Sequence, residues 1–408
     1  MSNMISVHDA ITRMLDQVES PSVQYQQVSL NQALDRICAK DITSPIDVPG
    51  HDNSAMDGYA VNASNLNVGD TLKVVGASAA GHPFSDQIGS GECVRIMTGA
   101  TIPEGLDAVV IQENTAIDNE AGTITLQSPV SAGDNIRLQG ADVRKNSTVI
   151  AAGSRLSTID IGLLGSLGIA EVPVQPQLSV AIFSTGDELV APGSPLETGQ
   201  IYDSNRYLID AMLQRLSIKV IDFGHLPDDL EQIKGALVEA SEQCDAIITS
   251  GGVSVGDTDH TKQALEALGE IGFWKVAMKP GKPFAFGQLN RAWFFGLPGN
   301  PVAAAVTMDQ LVQPVLAKLA GESFNQGNAL QVSAAESLKK RAGRADFQRG
   351  YFEQTTDGQL TVKSAGSQSS GVLSTMKSAN CFIYLERERE SVNRSETVSI
   401  LPFSRLFS

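Results

Sequence analysis

Residues 245–262 read DAIITSGGVSVGDTDHTK, and this stretch decides how the rest of the chain is interpreted. An apolar run typical of a buried strand leads into a glycine-rich loop and then into a segment with helical character. In open α/β sheets, ligands bind beyond the carboxyl ends of the parallel strands. Gly251 and Gly252 permit close approach of the backbone, and amides at the next helix N-terminus can hold an anion. The stretch therefore predicts a ligand-binding loop of an α/β domain.

Named motifs narrow the chemistry of this loop. A Walker P-loop ends in Gly-Lys-Ser/Thr, whereas Asp257 follows the last glycine, and the glycine spacing does not fit the dinucleotide fingerprint. GVSVG matches the nucleophile elbow of hydrolases, but the only histidine after Ser254 is His260, six residues on. What remains is a glycine anion cradle beside Asp257 and Asp259. Such a site favours a hard divalent cation, and Mg²⁺ is the first candidate. The alternative is that Asp257 only caps the following helix.

Strands and helices alternate around this loop. Apolar runs predict strands at 178–184 and 219–225, and further helices are expected after Asp203 or Ser204, after Pro227 and from Asn300. We therefore predict a doubly wound α/β domain over residues 176–322. Three more turns follow its strands: STGDEL (184–189) with Asp187 and Glu188, LPDD (226–229) with Asp228, and LPGNP (297–301). Single turns of this kind are usually structural, but several at one sheet edge indicate a site.

The remaining sequence predicts a multi-domain α/β plus β protein. Helical periodicity occurs at 6–18, capped by Ser6, at 30–42 and at about 156–169, whereas short β-prone runs separated by Gly, Pro and Asp fill the region between. The predicted division is a discontinuous helical layer (1–44 and 138–175), an inserted β-rich domain (45–137), the α/β domain, and a small C-terminal β-barrel-like domain (323–408).

Composition limits the classes of function. The net charge of −16 argues against a nucleic-acid or anionic-membrane surface, no stretch approaches 18 apolar residues, and the N-terminus lacks a signal-peptide pattern. The four cysteines contain no CxxC pair, which predicts reduced, semi-buried thiols of a cytoplasmic protein.

Positive charge is concentrated locally. No Asp or Glu occurs from Ile271 to Met308, although the chain has 46 acidic residues. This window and a second cluster are either anion-attracting patches or solvated basic faces. The window holds Lys275, Lys279, Lys282 and Arg291, and the cluster holds Lys339, Lys340, Arg341, Arg344 and Arg349, interrupted by Asp346.

Six blocks, in order along the chain, resemble molybdopterin molybdenumtransferases, the MoeA family, to which the gephyrin E domain is related. They are DNSAMDGYA (52–60), RIMTGA (95–100), FSTGDEL (183–189), SGGVSVGD (250–257), KPGKPFAFG (279–287) and GLPGNPV (296–302). The resemblance implies a four-domain chain whose elongated helical layer is a linker and dimer domain. It implies insertion of molybdate into adenylylated molybdopterin with Mg²⁺-dependent release of AMP. A molybdopterin adenylyltransferase using ATP in the same cleft, or a non-catalytic molybdopterin-binding scaffold, are the alternatives.

The resemblance also implies site residues and partners. We expect a cytoplasmic homodimer that contacts the molybdopterin adenylyltransferase, with Asp57 and Thr98 reaching the cleft from the partner, unless Asp57 is only a turn residue before Gly58. His260 departs from the aromatic residue expected at its position. The implied catalytic residues are Asp57, Thr98, Glu188, Asp228 and Asp259. The implied substrate-binding residues are Asp187, Ser250, Gly251, Gly252, Asp257, Lys275, Lys279, Pro298 and Pro301. Molybdate would bind Lys279, Lys282, Pro283, Arg349 and Ser369, and Mg²⁺ would bind Glu188, Asp228, Asp257 and Asp259.

Overall fold

The computed structural model describes residues 4–21, 24–251, 260–325 and 327–407. The chain divides into two compact units. The first comprises Met1–Ala39, Gly153–Thr158 and Glu171–Ser408, and the second comprises Lys40–Ala152 and Ile159–Ala170. The division into four domains stays a prediction.

The first unit opens with α1 (Val7–Gln17) and β1 (Gln26–Ser29). Ser6 caps the helix because its Oγ accepts a hydrogen bond from the amide of Asp9 at 3.0 Å. Ala10 and Met14 are buried one turn apart, as the 3.6-residue period requires. The predicted first helix is therefore confirmed.

The predicted helix over 30–42 is wrong. Only one 3₁₀ turn forms there, at Leu30–Gln32. The amide of Cys38 donates to the carbonyl of Ser154, and that of Ala39 donates to Pro173. Pairing with distant chain segments thus replaces the local bonds that the apolar spacing favoured.

The second unit is built mainly of short strands. A six-stranded sheet of order β7-β4-β6-β5-β9-β8 encloses an apolar core, which confirms the predicted β-rich module. The helix predicted near 156–169 is present as α2. The elements are β2 (Ile42–Thr43), β3 (Asn53–Ser54), β4 (Gly58–Val61), β5 (Thr71–Ser78), β6 (Glu92–Ile96), β7 (Ala108–Ile111), β8 (Thr115–Asp118), β9 (Thr123–Leu126), β10 (Ile136–Arg137), β11 (Thr148–Ile150) and α2 (Thr158–Ser166), with a 3₁₀ turn at Gln112–Asn114.

The first unit resumes with β12 (Glu171–Val174), which pairs with β1. A mixed sheet then follows, of order β16-β13-β17-β21-β20-β18. The first four strands are parallel, and β20 pairs antiparallel with both β21 and β18. β14 and β15 form a separate two-stranded sheet, and β19 pairs with a strand of the C-terminal barrel. The elements of this part of the chain are β13 (Ser179–Thr185), β14 (Leu189–Val190), β15 (Ile201–Tyr202), α3 (Asn205–Arg215), β16 (Lys219–Leu226), α4 (Leu230–Gln243), β17 (Ala246–Ser250), α5 (His260–Leu268), β18 (Glu270–Lys275), β19 (Met278–Lys279), β20 (Pro283–Leu289), β21 (Ala292–Leu297), α6 (Pro301–Thr307) and α7 (Gln313–Leu319). A π-helical turn, Met308–Val312, joins α6 to α7.

Both faces of this sheet are buried, which explains the continuous apolar runs of its strands. On β13, Val180 and Ile182 enter the core shared with α1, α3, α6 and α7. Ala181 and Phe183 point to the opposite face, into the core shared with α4 and α5. The sheet is thus covered by helices on both sides, as predicted for a doubly wound domain.

The C-terminal part of the first unit is a closed β-barrel. The strands follow the ring β23-β24-β22-β26-β25, and β25 pairs back to β23. The β22–β24 pair is parallel, and the other pairs of the ring are antiparallel. Its elements are β22 (Leu330–Ala334), β23 (Ala345–Gln354), β24 (Leu360–Ser364), α8 (Ser374–Lys377), β25 (Cys381–Leu385) and β26 (Thr397–Pro402).

The cysteines are more deeply buried than expected. None of the four forms a disulfide. Burial raises the pKa of both Cys93 and Cys381 to about 12, which makes them poor nucleophiles. Across the described ranges, no helix is both long enough and apolar enough to cross a bilayer.

Candidate functional site

A cavity of about 780 Å³ opens beyond the carboxyl ends of β13, β17 and β21. Ligands of open α/β sheets bind at this edge, and the volume suits an organic ligand. The cavity beside Asp309 is smaller, at about 440 Å³. The edge cavity is lined by Glu188, Ile201, Gly251, Lys279, Pro280, Gly281, Lys282, Pro283, Pro298, Gly299, Asn300, Ala303, Arg344, Gln368, Ser369 and Ser370. Seven predicted site residues are thus brought together: Glu188, Gly251, Lys279, Lys282, Pro283, Pro298 and Ser369.

Gly251 is required by the geometry of this edge. Its φ of +92° is unfavourable for other residues, and a Cβ there would lie 2.9 Å from the carbonyl oxygen of Thr185. Its amide donates to the carbonyl of Leu297 at 3.2 Å, so the turn after β17 is tied to the end of β21. The predicted residues Gly252, Asp257 and Asp259 lie outside the described residues.

Asn205, at the start of α3, joins two strand ends and was missed in the sequence. Its Nδ2 donates to the Oγ of Ser250 and to the carbonyl of Gly299, both at 2.7 Å. Ser250 is 3% exposed, so its hydroxyl supports the turn rather than facing the cavity. The only sequence signal was a polar residue in the first turn of a helix at this edge.

Three of the predicted carboxylates follow β13 and β16. Glu188 lines the cavity, and Asp187 accepts a hydrogen bond at 3.3 Å from the amide of Asp228. Asp229 caps α4 by accepting from the amide of Gln232, which leaves Asp228 without a capping role. All three carboxylates are exposed. Within the described ranges, no group of three or more His, Cys, Asp or Glu residues could hold a metal ion.

The segment without acidic residues, Ile271 to Met308, includes the loop between β19 and β20, which lines the cavity and is here called the lysine loop. Lys279 forms an ion pair with Asp346, with Nζ 3.2 Å from Oδ2, and the two residues are register partners in β19 and β23. Lys282 lines the cavity, whereas Lys275 is exposed at the end of β18 and does not. Gly281 has a φ of +104°, and a Cβ there would lie 2.5 Å from the Oγ1 of Thr307. This close approach lets the loop pack against the end of α6.

Residues 367–370, here called the serine loop, form another wall of the cavity, and Arg349 holds this loop in place. Arg349 is 1% exposed, and its Nη2 donates to the carbonyls of Ser367 and Ser369 at 2.7 and 3.0 Å. Burial lowers the pKa of its guanidinium. The carbonyl of Ser370 accepts from the amide of Val302, which ties the loop to the first turn of α6, where Pro301 stands. Arg349 positions Ser369 here, and its direct contact with molybdate stays a prediction.

Asp57 and Thr98 form a local pair in the second unit. Both the amide and the Oγ1 of Thr98 donate to the Oδ1 of Asp57 at 2.8 Å. These bonds hold the pKa of the exposed Asp57 carboxyl below its usual value. Gly58 follows in β4, where a Cβ would lie 2.0 Å from the carbonyl oxygen of Val110. The pair fixes the orientation of the Asp57 carboxylate, and its role in an active site stays a prediction.

Three family models match the chain in order. They are the MoeA N-terminal region (domain I and II) over residues 5–168, a probable molybdopterin binding domain over 181–318, and the MoeA C-terminal region (domain IV) over 331–403.

Known relatives match nearly the whole chain. A molybdopterin molybdenumtransferase of Haemophilus influenzae is 50% identical over 404 residues, covering 99% of this chain and 100% of the relative. Gephyrin of Dictyostelium discoideum is 32% identical over 98% of this chain and 62% of its own length. The crystal structure of a molybdopterin biosynthesis moeA protein from Pyrococcus horikoshii has a TM-score of 0.84 at 27% identity, covering 98% of this chain and 100% of that one. The multi-domain fold and the prediction of a transferase are confirmed, and the chain belongs to the MoeA family.

Proposed function

We propose that this chain is a molybdenum insertase, which transfers molybdenum from molybdate into adenylylated molybdopterin and releases AMP. The observation that carries the proposal is the full-length match to a named molybdopterin molybdenumtransferase. The cavity adds chemical support, because its lysines suit a substrate that carries phosphates together with a dianionic oxyanion.

In this proposal, different residues around the cavity bind the phosphate groups and the molybdate. The backbone turns at Gly251 and Gly299 let phosphate groups approach the sheet edge closely. Lys282 and Lys279 lie on the opposite loop, where they attract and orient molybdate, and Arg349 shapes the serine loop that faces them. Cleavage of the phosphoanhydride develops negative charge, and these fixed cations stabilise it without reorganisation.

Mg²⁺ is part of the proposal because the acidic residues offer the oxygen ligands that this ion prefers. Glu188 lines the cavity and Asp228 is exposed beside the same edge. Together with Asp257 and Asp259, which follow β17 in the sequence, they are the proposed ligands. Bound Mg²⁺ would neutralise phosphate charge and help AMP to leave.

The proposed setting is a cytoplasmic homodimer. In it, Asp57 and Thr98 of one subunit serve the active site of the other, and the protein contacts the molybdopterin adenylyltransferase. The ionised, oriented Asp57 carboxylate supports a functional role for this pair.

The competing functions make different products, so one experiment separates them. The purified protein is supplied with adenylylated molybdopterin, Mg²⁺ and molybdate, and AMP is measured with and without molybdate. An insertase releases AMP together with the molybdenum cofactor only when molybdate is present. AMP release that ignores molybdate would contradict the proposal. Pyrophosphate formed from ATP and molybdopterin would favour an adenylyltransferase, and no turnover with tight binding would favour a scaffold.

A further inference from the structure

A second cavity, of about 440 Å³ and here called the Asp309 cavity, shares no lining residue with the cavity at the α/β sheet edge. Three segments of the first unit form it: the π-helical turn with the start of α7, the chain after α7, and the end of β26 with residues 403–405. Its volume lies in the range of pockets that bind small organic ligands. The proposed function does not use this cavity, so any ligand that it binds is a further one.

Asp309 sets the charge of this cavity. Glu322 also lines it, but its carboxylate is paired with Arg155, whose Nη2 lies 2.5 Å from Oε2. Arg405, the cation of the lining, is paired with Asp35. Asp309 is 7% exposed, and among the residues that the structure describes no cation pairs with its carboxylate. Because an unpaired buried carboxylate is costly, the cavity favours a cationic ligand.

The Asp309 carboxylate is held in place and can still accept further hydrogen bonds. Its Oδ1 accepts from the Oγ of Ser404 at 2.9 Å, and its Oδ2 accepts from the Nε2 of Gln310 at 2.5 Å. A carboxylate offers about four acceptor positions. Burial raises the pKa of Asp309 to about 6, so the group is mostly ionised at neutral pH. It is therefore an oriented counter-ion with room for an ammonium group.

Gln313 adds a second polar group to the wall. It is 6% exposed and lines the cavity, yet within the described ranges its side-chain amide forms no hydrogen bond. The amide atoms are not completely enclosed, so they are reached from the cavity. Buried polar side chains are nearly always hydrogen-bonded. The free amide thus indicates a polar group of a ligand beside it.

The rest of the lining limits the kind of cation. Phe324, Leu401 and Phe403 supply apolar side chains, which suit a hydrocarbon body. A bare metal ion fits poorly, because no group of three or more His, Cys, Asp or Glu in the described part of the chain could hold one. An amine fits both parts, since its ammonium can meet Asp309 while its hydrocarbon meets the apolar wall.

We propose that the Asp309 cavity binds a small organic monocation, a primary ammonium on an apolar body, with Asp309 as its counter-ion and Gln313 as a second polar contact. This site is separate from the proposed insertase chemistry and does not depend on it.

The test is equilibrium binding of three probes to the full chain by calorimetry at pH 7.5. Benzylammonium carries the charge and the apolar body, benzyl alcohol lacks the charge, and methylammonium lacks the body. We expect benzylammonium to bind with a dissociation constant of about 1 mM or lower, and the other two about 10-fold more weakly or worse. Benzyl alcohol that binds as tightly as benzylammonium would overturn the ammonium site, as would no binding of benzylammonium.

Variants assign the contact to named residues. Asp309→Asn keeps the shape of the side chain and should weaken binding of benzylammonium about 10-fold or more. Asp16→Asn, which removes the same charge from an exposed residue outside the cavity, should change it less than about 2-fold. Gln313→Leu should weaken it about 2- to 10-fold through the lost hydrogen bond. Unchanged binding by Asp309→Asn would contradict the proposal, and unchanged binding by Gln313→Leu would remove the second contact.

A thermal unfolding curve shows whether each variant is folded. If Asp309→Asn is not, the wild type at pH 5 replaces it, because Asp309 is then mostly protonated while benzylammonium keeps its charge. Glu322 stays paired with Arg155, and Asp35 with Arg405. Binding should then be about 10-fold weaker than at pH 7.5, and equal binding would contradict the proposal. AMP release does not enter this test, so failure here leaves the insertase proposal standing.

Discussion

The ammonium of Lys279 lies 3.2 Å from the carboxylate of Asp346, so the lysine predicted to bind molybdate already has an acidic partner. The side chain of Lys279 is 44% exposed and that of Asp346 is 5% exposed. A pair of this kind orients the lysine but reduces the positive charge that an incoming anion meets.

Replacing that partner should strengthen binding of a free anion. Asp346→Asn keeps the size of the side chain and removes the charge that offsets Lys279. We expect the dissociation constant for inorganic molybdate to fall about 2- to 5-fold, because a partly exposed pair contributes about 0.5–1 kcal/mol. Calorimetry of the variant measures this. Glu353→Gln, which removes an exposed carboxylate paired with Lys363, is the matched control. Weaker binding by Asp346→Asn would mean that orientation of Lys279 outweighs its charge.

The same substitution at two glycines should have opposite effects. Gly251→Ala forces a side chain into a left-handed conformation and against the carbonyl of Thr185, at a cost of about 1–3 kcal/mol. Gly235→Ala lies in the middle of α4 with open space around the new methyl group, and it should stabilise the protein by about 0.5–1 kcal/mol. Urea unfolding of both variants checks the signs. Equal effects would show that the turn after β17 tolerates a side chain.

Asp309 should make stability depend on pH. It lies in the π-helical turn, 7% exposed, and burial raises its pKa to about 6 from 3.8. Since the folded state holds the proton more tightly, the stabilising contribution is complete below about pH 4 and is lost as the pH rises through 6. Asparagine does not ionise in this pH range, so the Asp309→Asn variant does not lose this contribution. We therefore expect the unfolding free energy of the variant, relative to wild type, to improve by about 1–3 kcal/mol between pH 4 and pH 7.5.

Urea titrations of both proteins at several pH values measure this difference, in which the titration of all other groups cancels. Glu322 lines the same cavity as Asp309 and is paired with Arg155. It is present in both proteins, so its titration does not contribute to the difference between them. Parallel pH profiles for the two proteins would contradict a raised pKa at Asp309.

The strands of the α/β domain could be predicted because burial on both faces leaves continuous apolar runs such as 178–184. The helix over 30–42 could not be excluded, since its apolar spacing fits a helix and it is prevented by backbone pairing with distant residues such as Ser154 and Pro173. The turn at Gly251 was predicted for a similar local reason, namely its place between a strand and a helix.

Partners across the fold were not predictable in this way. Asp346 was seen only as an interruption of a basic cluster, and nothing local indicates that it meets Lys279 from 67 residues away. Asn205 is likewise separated from Ser250 by 45 residues. The burial of Arg349 against the serine loop also depends on tertiary packing, which a pattern of charges does not contain.

The proposed homodimer predicts complementation between two inactive chains. A subunit with Asp57→Asn and one with Asp228→Asn should each be inactive alone and regain activity when mixed. If each active site uses both subunits, one site of the mixed dimer carries both lesions and the other carries none. AMP release by co-purified, differently tagged chains measures this. Mixed dimers that form and stay inactive would contradict a role for Asp57 across subunits.

The central claim is that the lysine loop beside the α/β sheet edge is where molybdate reacts, and Lys282 tests it most directly. Lys282 lines the cavity, whereas Lys339 is exposed away from it and serves as the control. The measurement is AMP release as a function of molybdate and, separately, of adenylylated molybdopterin. For Lys282→Ala we predict that the half-saturating molybdate concentration rises about 10- to 100-fold, the loss of a charge-assisted contact worth about 1.5–3 kcal/mol. The half-saturating nucleotide concentration should stay within about 2-fold, and Lys339→Ala should change neither. An equal rise for both substrates would assign Lys282 to the phosphates and contradict the claim.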